Sequence, residues 1–222
     1  MREIIIIGAG YSVKEGIELG LWNKIKGKDI LTINFCYRFL PFLPTGIIWG
    51  DDSVWIKCED SLSVLSNYGV KLYSRKYEKY NKYPFIKQIR VEDEGHNILP
   101  FTDDKGLELN SIYMGRCGFT GLMALSLACA LKYDIIYLLG YDFGIIDYKE
   151  NNTHWYRELD DKINCGAYGI KSVYFDGDKP RHEISDFNVY KTSKAKIYNV
   201  SPLSNIEVFE KLSYEQFFNK IK

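Results

Sequence analysis

Ile4-Ile5-Ile6-Ile7 is an unbroken run of β-branched residues, and Gly8-Ala9-Gly10-Tyr11-Ser12 follows it at once. A run without polar alternation leaves no face for water, so it suits a strand covered on both sides, the condition of a parallel sheet. Glycines at 8 and 10 permit a tight turn and close backbone approach, and Ser12 is placed to cap a following helix. Such a turn is expected to aim free N–H groups and a positive helix end at an anion, typically a nucleotide phosphate. A side chain at Gly10 is then expected to block the ligand and leave the fold intact. Val13 replaces the third glycine of the dinucleotide fingerprint, and the next strand-like run, Ile30-Leu31-Thr32-Ile33, ends on Asn34 rather than on an acid. The pattern favours phosphate binding over NAD binding. A glycine turn used for packing alone is the competing account.

Strand-like and helix-like runs alternate along the whole chain. Gly46-Ile47-Ile48-Trp49, Val70-Lys71-Leu72-Tyr73, Ile135-Ile136-Tyr137-Leu138-Leu139 and Ile197-Tyr198-Asn199-Val200 read as further strands. Helices are expected over 12–22, 53–65 and 118–131, with Ser213 capping a last one. This order predicts an α/β fold: one Rossmann-like domain over residues 1–222, a doubly wound, mostly parallel sheet with helices on both faces. The runs 4–7 and 135–139 should be its central strands. In such a sheet the ligand lies beyond the carboxyl ends of the strands. Residues 8–12, Asn34, Asp51-Asp52 and Tyr141-Asp142-Phe143 should therefore converge on one rim.

Composition removes several classes of function. Lys+Arg and Asp+Glu number 29 each, so no global field draws the chain to nucleic acid or an anionic membrane. No apolar run is long enough to span a bilayer, and a strand so close to Met1 leaves no room for a signal peptide, which predicts a cytoplasmic protein. Cys36, Cys58, Cys117, Cys129 and Cys165 are widely spaced without a C-x-x-C pair; reduced thiols fit better than disulfides or structural zinc. The stretch from Lys71 to Arg90 interleaves lysines and arginines with Tyr73, Tyr77, Tyr80 and Tyr83, a pattern that suits single-stranded nucleic acid. A solvated excursion is the preferred account, because Glu92, Asp93 and Glu94 offset the charge.

Several polar residues suit chemistry. Asp51 and Asp52 close a strand; capping is expected of Asp52 and a ligand contact of Asp51. Thr120-Gly121 opens an Ala/Leu-rich helix and offers a second anion or ribose seat. Asp142 follows the most apolar strand and lies at the expected active rim. Histidine is the side chain best suited to proton transfer near neutral pH. Of the three, His154 lies in a polar loop and His182 just before Ser185-Asp186, while His96 reads as a surface residue.

Together, Gly8-x-Gly10-x-Ser12, Asn34, Thr120-Gly121 and Ile136-Tyr137-Leu138-Leu139-Gly140-Tyr141-Asp142-Phe143 resemble the bacterial sialyltransferases of glycosyltransferase family 42. That family is similar to phage proteins of unknown role and to 6-hydroxymethylpterin diphosphokinase-like proteins with the same core. The likeness is discontinuous and reaches His182, Ser185-Asp186 and Ser201-Pro202-x-Ser204. Ala9 and Asp51 stand where the family has asparagine, and Gly144 where it has tyrosine; Thr153-His154-Trp155 is closer to the phage proteins.

The resemblance implies a nucleotide-sugar donor, a CMP-sugar or similar, and a hydroxyl-bearing acceptor such as a glycan. Gly8, Gly10, Ser12, Asn34 and Thr120 would hold the nucleotide, with Ala9, Asp51 and Gly121 beside them. His182 would be the general base of an inverting transfer, with His154 in reserve and Asp142 at the same rim, and Tyr148 would assist the leaving phosphate. No cofactor or metal is expected. The alternatives are a Mg²⁺-dependent pyrophosphokinase of the diphosphokinase-like type, with Asp51-Asp52 as its acids, and a non-catalytic nucleotide-binding phage protein. Homo-oligomerisation is left open.

Overall fold

The structure is a computed structural model that describes residues 1–75, 77–89, 120–143, 154–156, 175–176, 179–180 and 184–222. His96, Tyr148 and His182 lie outside the described residues, as do the side chains of Ser185 and Asp186.

Eight strands form one parallel sheet: β1 (Glu3–Ile7), β2 (Ile30–Ile33), β3 (Gly46–Trp49), β4 (Lys71–Arg75), β5 (Ile86–Ile89), β6 (Ile135–Leu139), β9 (Lys196–Asn199) and β10 (Glu210–Lys211). Their order is β10-β9-β6-β1-β2-β3-β4-β5, and every pairing is parallel. The two runs expected at the centre are there. β1 pairs with β6 from Glu3↔Ile135 to Ile7↔Leu139. A short antiparallel ladder, β7 (Phe175–Asp176) with β8 (Lys179–Pro180), stands apart from the main sheet.

Alternate residues of each strand serve opposite faces, which explains why the central runs carry no polar residue. Ile5, Ile7, Ile47, Trp49, Tyr137 and Leu139 pack on one face against Val13, Leu21, Ile25, Leu62 and Phe217. These belong to α1 (Ser12–Glu18), α2 (Leu21–Ile25), α3 (Asp52–Asn67) and the C-terminal helix Tyr214–Lys220. Ile4, Ile6, Ile48, Ile136 and Leu138 pack on the other face against α4 (Thr120–Ala130) and against Phe187 and Tyr190 of the 3-10 segment Ile184–Thr192. Ser126, the buried hydroxyl of α4, bonds the Leu122 carbonyl (2.9 Å) and the Tyr190 hydroxyl.

Three expectations need correction. The helix expected over 12–22 is two helices, because Gly20 adopts φ +82° and breaks the first. The basic, tyrosine-rich stretch is no excursion: it forms β4, the 3-10 turn Glu78–Lys82 and the edge strand β5, with Tyr73 and Tyr80 buried. Its cations lie over its own rings, Lys79 over Tyr80 (5.4 Å) and Lys82 over Tyr83 (4.8 Å). The capping expected of Asp52 falls to Asp51, which accepts the Ser53 N–H at 2.8 Å at the start of α3, while Asp52 accepts from the Tyr80 hydroxyl (3.0 Å) and pairs with Lys79 (2.5 Å). Ser213 does cap its helix, in a reciprocal box with Gln216. Among the described residues no helix is long and apolar enough to cross a membrane. Cys36, Cys58 and Cys129 are thiols rather than disulfides.

Candidate functional site

The winding of the sheet reverses between β1 and β6, and the chain segments beyond these two strands are knitted together. Gly8 N–H donates to the Leu139 carbonyl (2.8 Å) and Gly10 N–H to the Gly140 carbonyl (3.0 Å). Gly140 has φ +71°, and a Cβ there would sit 2.8 Å from the Gly8 oxygen. A Cβ on Gly10 would lie 2.5 Å from the Gly140 oxygen and 2.6 Å from Oδ2 of Asp142. The backbones meet at this distance only because both residues are glycine.

Asp142 holds the start of α1. Its buried carboxylate accepts the Ser12 N–H (2.9 Å) at Oδ2, and the Ser201 hydroxyl (2.8 Å) and the Ser12 hydroxyl at Oδ1. Ser12 is therefore the first residue of its helix and not its cap; the capping position is Tyr11, which makes no side-chain bond there. The expectation of free amides at the turn changes accordingly: those of Gly8, Gly10 and Ser12 are spent inside the protein. The segment after β9 completes the arrangement, with Ser204 Oγ (2.7 Å) and Asn199 Nδ2 (3.3 Å) donating to the Tyr141 carbonyl, and Asn205 N–H to that of Asp142 (3.2 Å). Beneath it the Tyr214 ring fills the notch left by Gly16, where a Cβ would lie 2.3 Å from its Cε1. Burial pushes the Tyr214 hydroxyl well above the usual tyrosine range, and the nearby Asp142 charge adds to this.

Three more elements reach the same rim. Tyr141, kept protonated by complete burial, donates its hydroxyl to the Gly121 carbonyl at 2.8 Å and so ties the start of α4, with Thr120, to the end of β6. Residues 154–156 cross the glycine turn: Trp155 donates its amide to the Ala9 carbonyl and its indole N–H to the Gly8 carbonyl, each at 3.1 Å. Tyr156 stacks on Phe39 (4.9 Å), and half-buried His154 stands 5.4 Å from the Tyr156 ring. Phe39 ends the 3-10 turn Asn34–Phe39, and that turn begins on Asn34 at φ +53°. The Asn34 Oδ1 is buried and accepts no hydrogen bond.

The structure thus joins Gly10, Ser12 and Asp142 by direct contact, and links Gly8 through Gly140, Ala9 and His154 through the segment 154–156, Gly121 through Tyr141 and Asn34 through Phe39. Asp51 is the outlier, occupied by capping at the end of β3, two strands from β1. Ser201 and Trp155, which clamp the site, and Tyr214, which underlies it, had no role assigned from the sequence. Ser201 carried a signal, as a hydroxyl just beyond an apolar strand, and so did Trp155, an indole in a polar loop. Among the described residues no group of three or more His, Cys, Asp or Glu is arranged to hold a metal ion.

No protein-family model and no curated protein matches the sequence. Solved structures do. The sialyltransferase CstII from Campylobacter jejuni, in complex with the substrate analogue CMP-3FNeuAc, is similar at TM-score 0.51 and 15% identity, over 96% of this chain and 86% of that one. A CstII structure with CMP gives 0.52 at 15% identity over 96% and 86%. The monofunctional alpha-2,3-sialyltransferase Cst-I from Campylobacter jejuni gives 0.53 at 15% identity over 97% and 82%. At this identity the likeness is one of architecture, and the chain shares its fold with these sialyltransferases.

Proposed function

We propose that the protein is a nucleotide-sugar-dependent glycosyltransferase, with a CMP-sugar or similar donor and a hydroxyl-bearing acceptor. The observation that carries this reading is the unpartnered Asn34 Oδ1, held in a left-handed conformation at the same rim as the glycine turn and Thr120-Gly121. A buried acceptor without a donor costs about 1–3 kcal/mol, and a nucleotide hydroxyl or amino group would recover it. The two CstII structures named above are complexes with CMP and with the substrate analogue CMP-3FNeuAc.

In this reading a histidine removes the proton of the acceptor hydroxyl as its oxygen attacks the anomeric carbon. The bond to the nucleotide phosphate breaks, and CMP leaves with the electron pair. Attack from the opposite face inverts the anomeric centre. His182 is the base by resemblance; His154 is the second candidate, one residue from the Trp155 anchor on the glycine turn. Asp142, enclosed by three donors, acts as a positioning residue rather than as a base. Magnesium-dependent pyrophosphoryl transfer fits the residues less well, since Asp51 and Asp52 are turned to separate structural tasks.

The test is release of CMP from a CMP-sugar in the presence of a glycan acceptor. His182→Ala should lower turnover by roughly 10²–10⁴-fold with little change in nucleotide affinity. If His154→Ala has that effect instead, the base is reassigned. Tight nucleotide binding with no transfer to any hydroxyl acceptor refutes the enzyme reading and favours a binding protein.

A further inference from the structure

The place an anion would take at the start of α1 is filled by the chain itself. Asp142 accepts the Ser12 N–H and both neighbouring hydroxyls, and it lies against Gly10 so closely that a Cβ there would be 2.6 Å from Oδ2. The Gly8 and Gly10 amides are also spent, on the carbonyls of residues 139 and 140. Displacing the carboxylate would strip partners from Ser12 and Ser201, both buried, and buried donors left unmet are costly.

We propose that Asp142 determines specificity by denying the Gly10–Ser12 end of the turn to phosphate. The uncharged ribose or base is then the part of the nucleotide nearest this carboxylate, and the phosphate is held elsewhere on the rim. A second anion beside a fixed carboxylate in a partly buried site is repelled far more strongly than in water. Asn34 supplies an independent observation: its orphaned Oδ1 is an acceptor, which suits a sugar hydroxyl or base amino group and not a phosphate oxygen. The proposal rests on the reading that this rim binds a nucleotide.

Calorimetric titration of cytidine and CMP into the wild-type protein, Asp142→Asn and Ser201→Ala tests it. The ratio of the two Kd values in the wild type is the reference. Asp142→Asn removes the charge and keeps the shape, so CMP should tighten by about tenfold while cytidine hardly changes. Ser201→Ala removes a donor and keeps the charge, so both ligands should shift together. An Asp142→Asn variant that binds CMP no better relative to cytidine than wild type overturns the proposal. Should that variant not fold, competition in the wild type decides: inorganic phosphate that leaves the cytidine Kd unchanged supports the proposal, and phosphate that displaces cytidine overturns it. Tight CMP binding without measurable cytidine binding removes this inference alone, whereas binding of neither removes the nucleotide reading with it.

Discussion

A Cβ on Gly10 would press on the Gly140 carbonyl and the Asp142 carboxylate, whereas one on Gly20 meets nothing within 4 Å and suffers only from φ +82°. The two positions should therefore respond differently to alanine. Gly20→Ala should cost about 1 kcal/mol of backbone strain. Gly10→Ala should cost about 3 kcal/mol, at the upper end of overpacking, because both atoms it meets are fixed. Chemical denaturation of the two variants would show the ranking, and equal losses would contradict the closeness of β1 and β6 at this point. The expectation that a side chain at Gly10 blocks the ligand and spares the fold is thereby revised. The glycine turn itself was legible, since Gly8 and Gly10 follow directly on an apolar strand. The Asp142–Ser12 contact was not, because the two residues are 130 positions apart and Ser12 has the local signature of a cap.

At the level of elements, strands buried on both faces were read correctly from the lack of alternation, as in β1, β3 and β6. β5 was missed because an edge strand keeps polar residues: Lys87 is exposed and Gln88 half-buried between Ile86 and Ile89. Residues 154–156 were equally opaque, since the placement of Trp155 comes from contacts with Ala9, Trp22 and Phe39 rather than from its own sequence. Trp155→Phe keeps most of that packing and removes the indole bond to the Gly8 carbonyl. It should cost about 1 kcal/mol in stability and weaken nucleotide binding beyond that, because the turn loses its strap. Unchanged nucleotide affinity alongside a lower melting temperature would reduce Trp155 to a packing residue.

The molecule as a whole is rich in tyrosines that folding shields from ionisation. Burial, followed by the Asp29 contact, raises Tyr133 to about 12, and burial raises Tyr137 to about 12, from an ordinary value of 10.0. Between these values the unfolded chain has released protons that the folded chain retains, so unfolding becomes easier as pH rises. Stability from these groups should be intact below about pH 10 and lost progressively toward pH 12. Denaturation followed by tyrosinate absorbance should show a part of the absorbance rise that arrives only with unfolding, and complete ionisation ahead of unfolding would refute this shielding. Unbroken apolar character predicted that 4–7 and 135–139 lie centrally; the placement of β9 and β10 beyond β6 depends on crossovers that local pattern does not encode. The β1–β6 pairing also has a meaning for biosynthesis. A chain emerging from the ribosome exposes β1 and its early neighbours long before β6 exists, so one edge of the growing sheet stays bare. The glycine turn gains its carboxylate clamp only when Asp142 has emerged, and its Ser201 support later still. A ligand of the completed site would therefore bind too late to protect the nascent half-sheet.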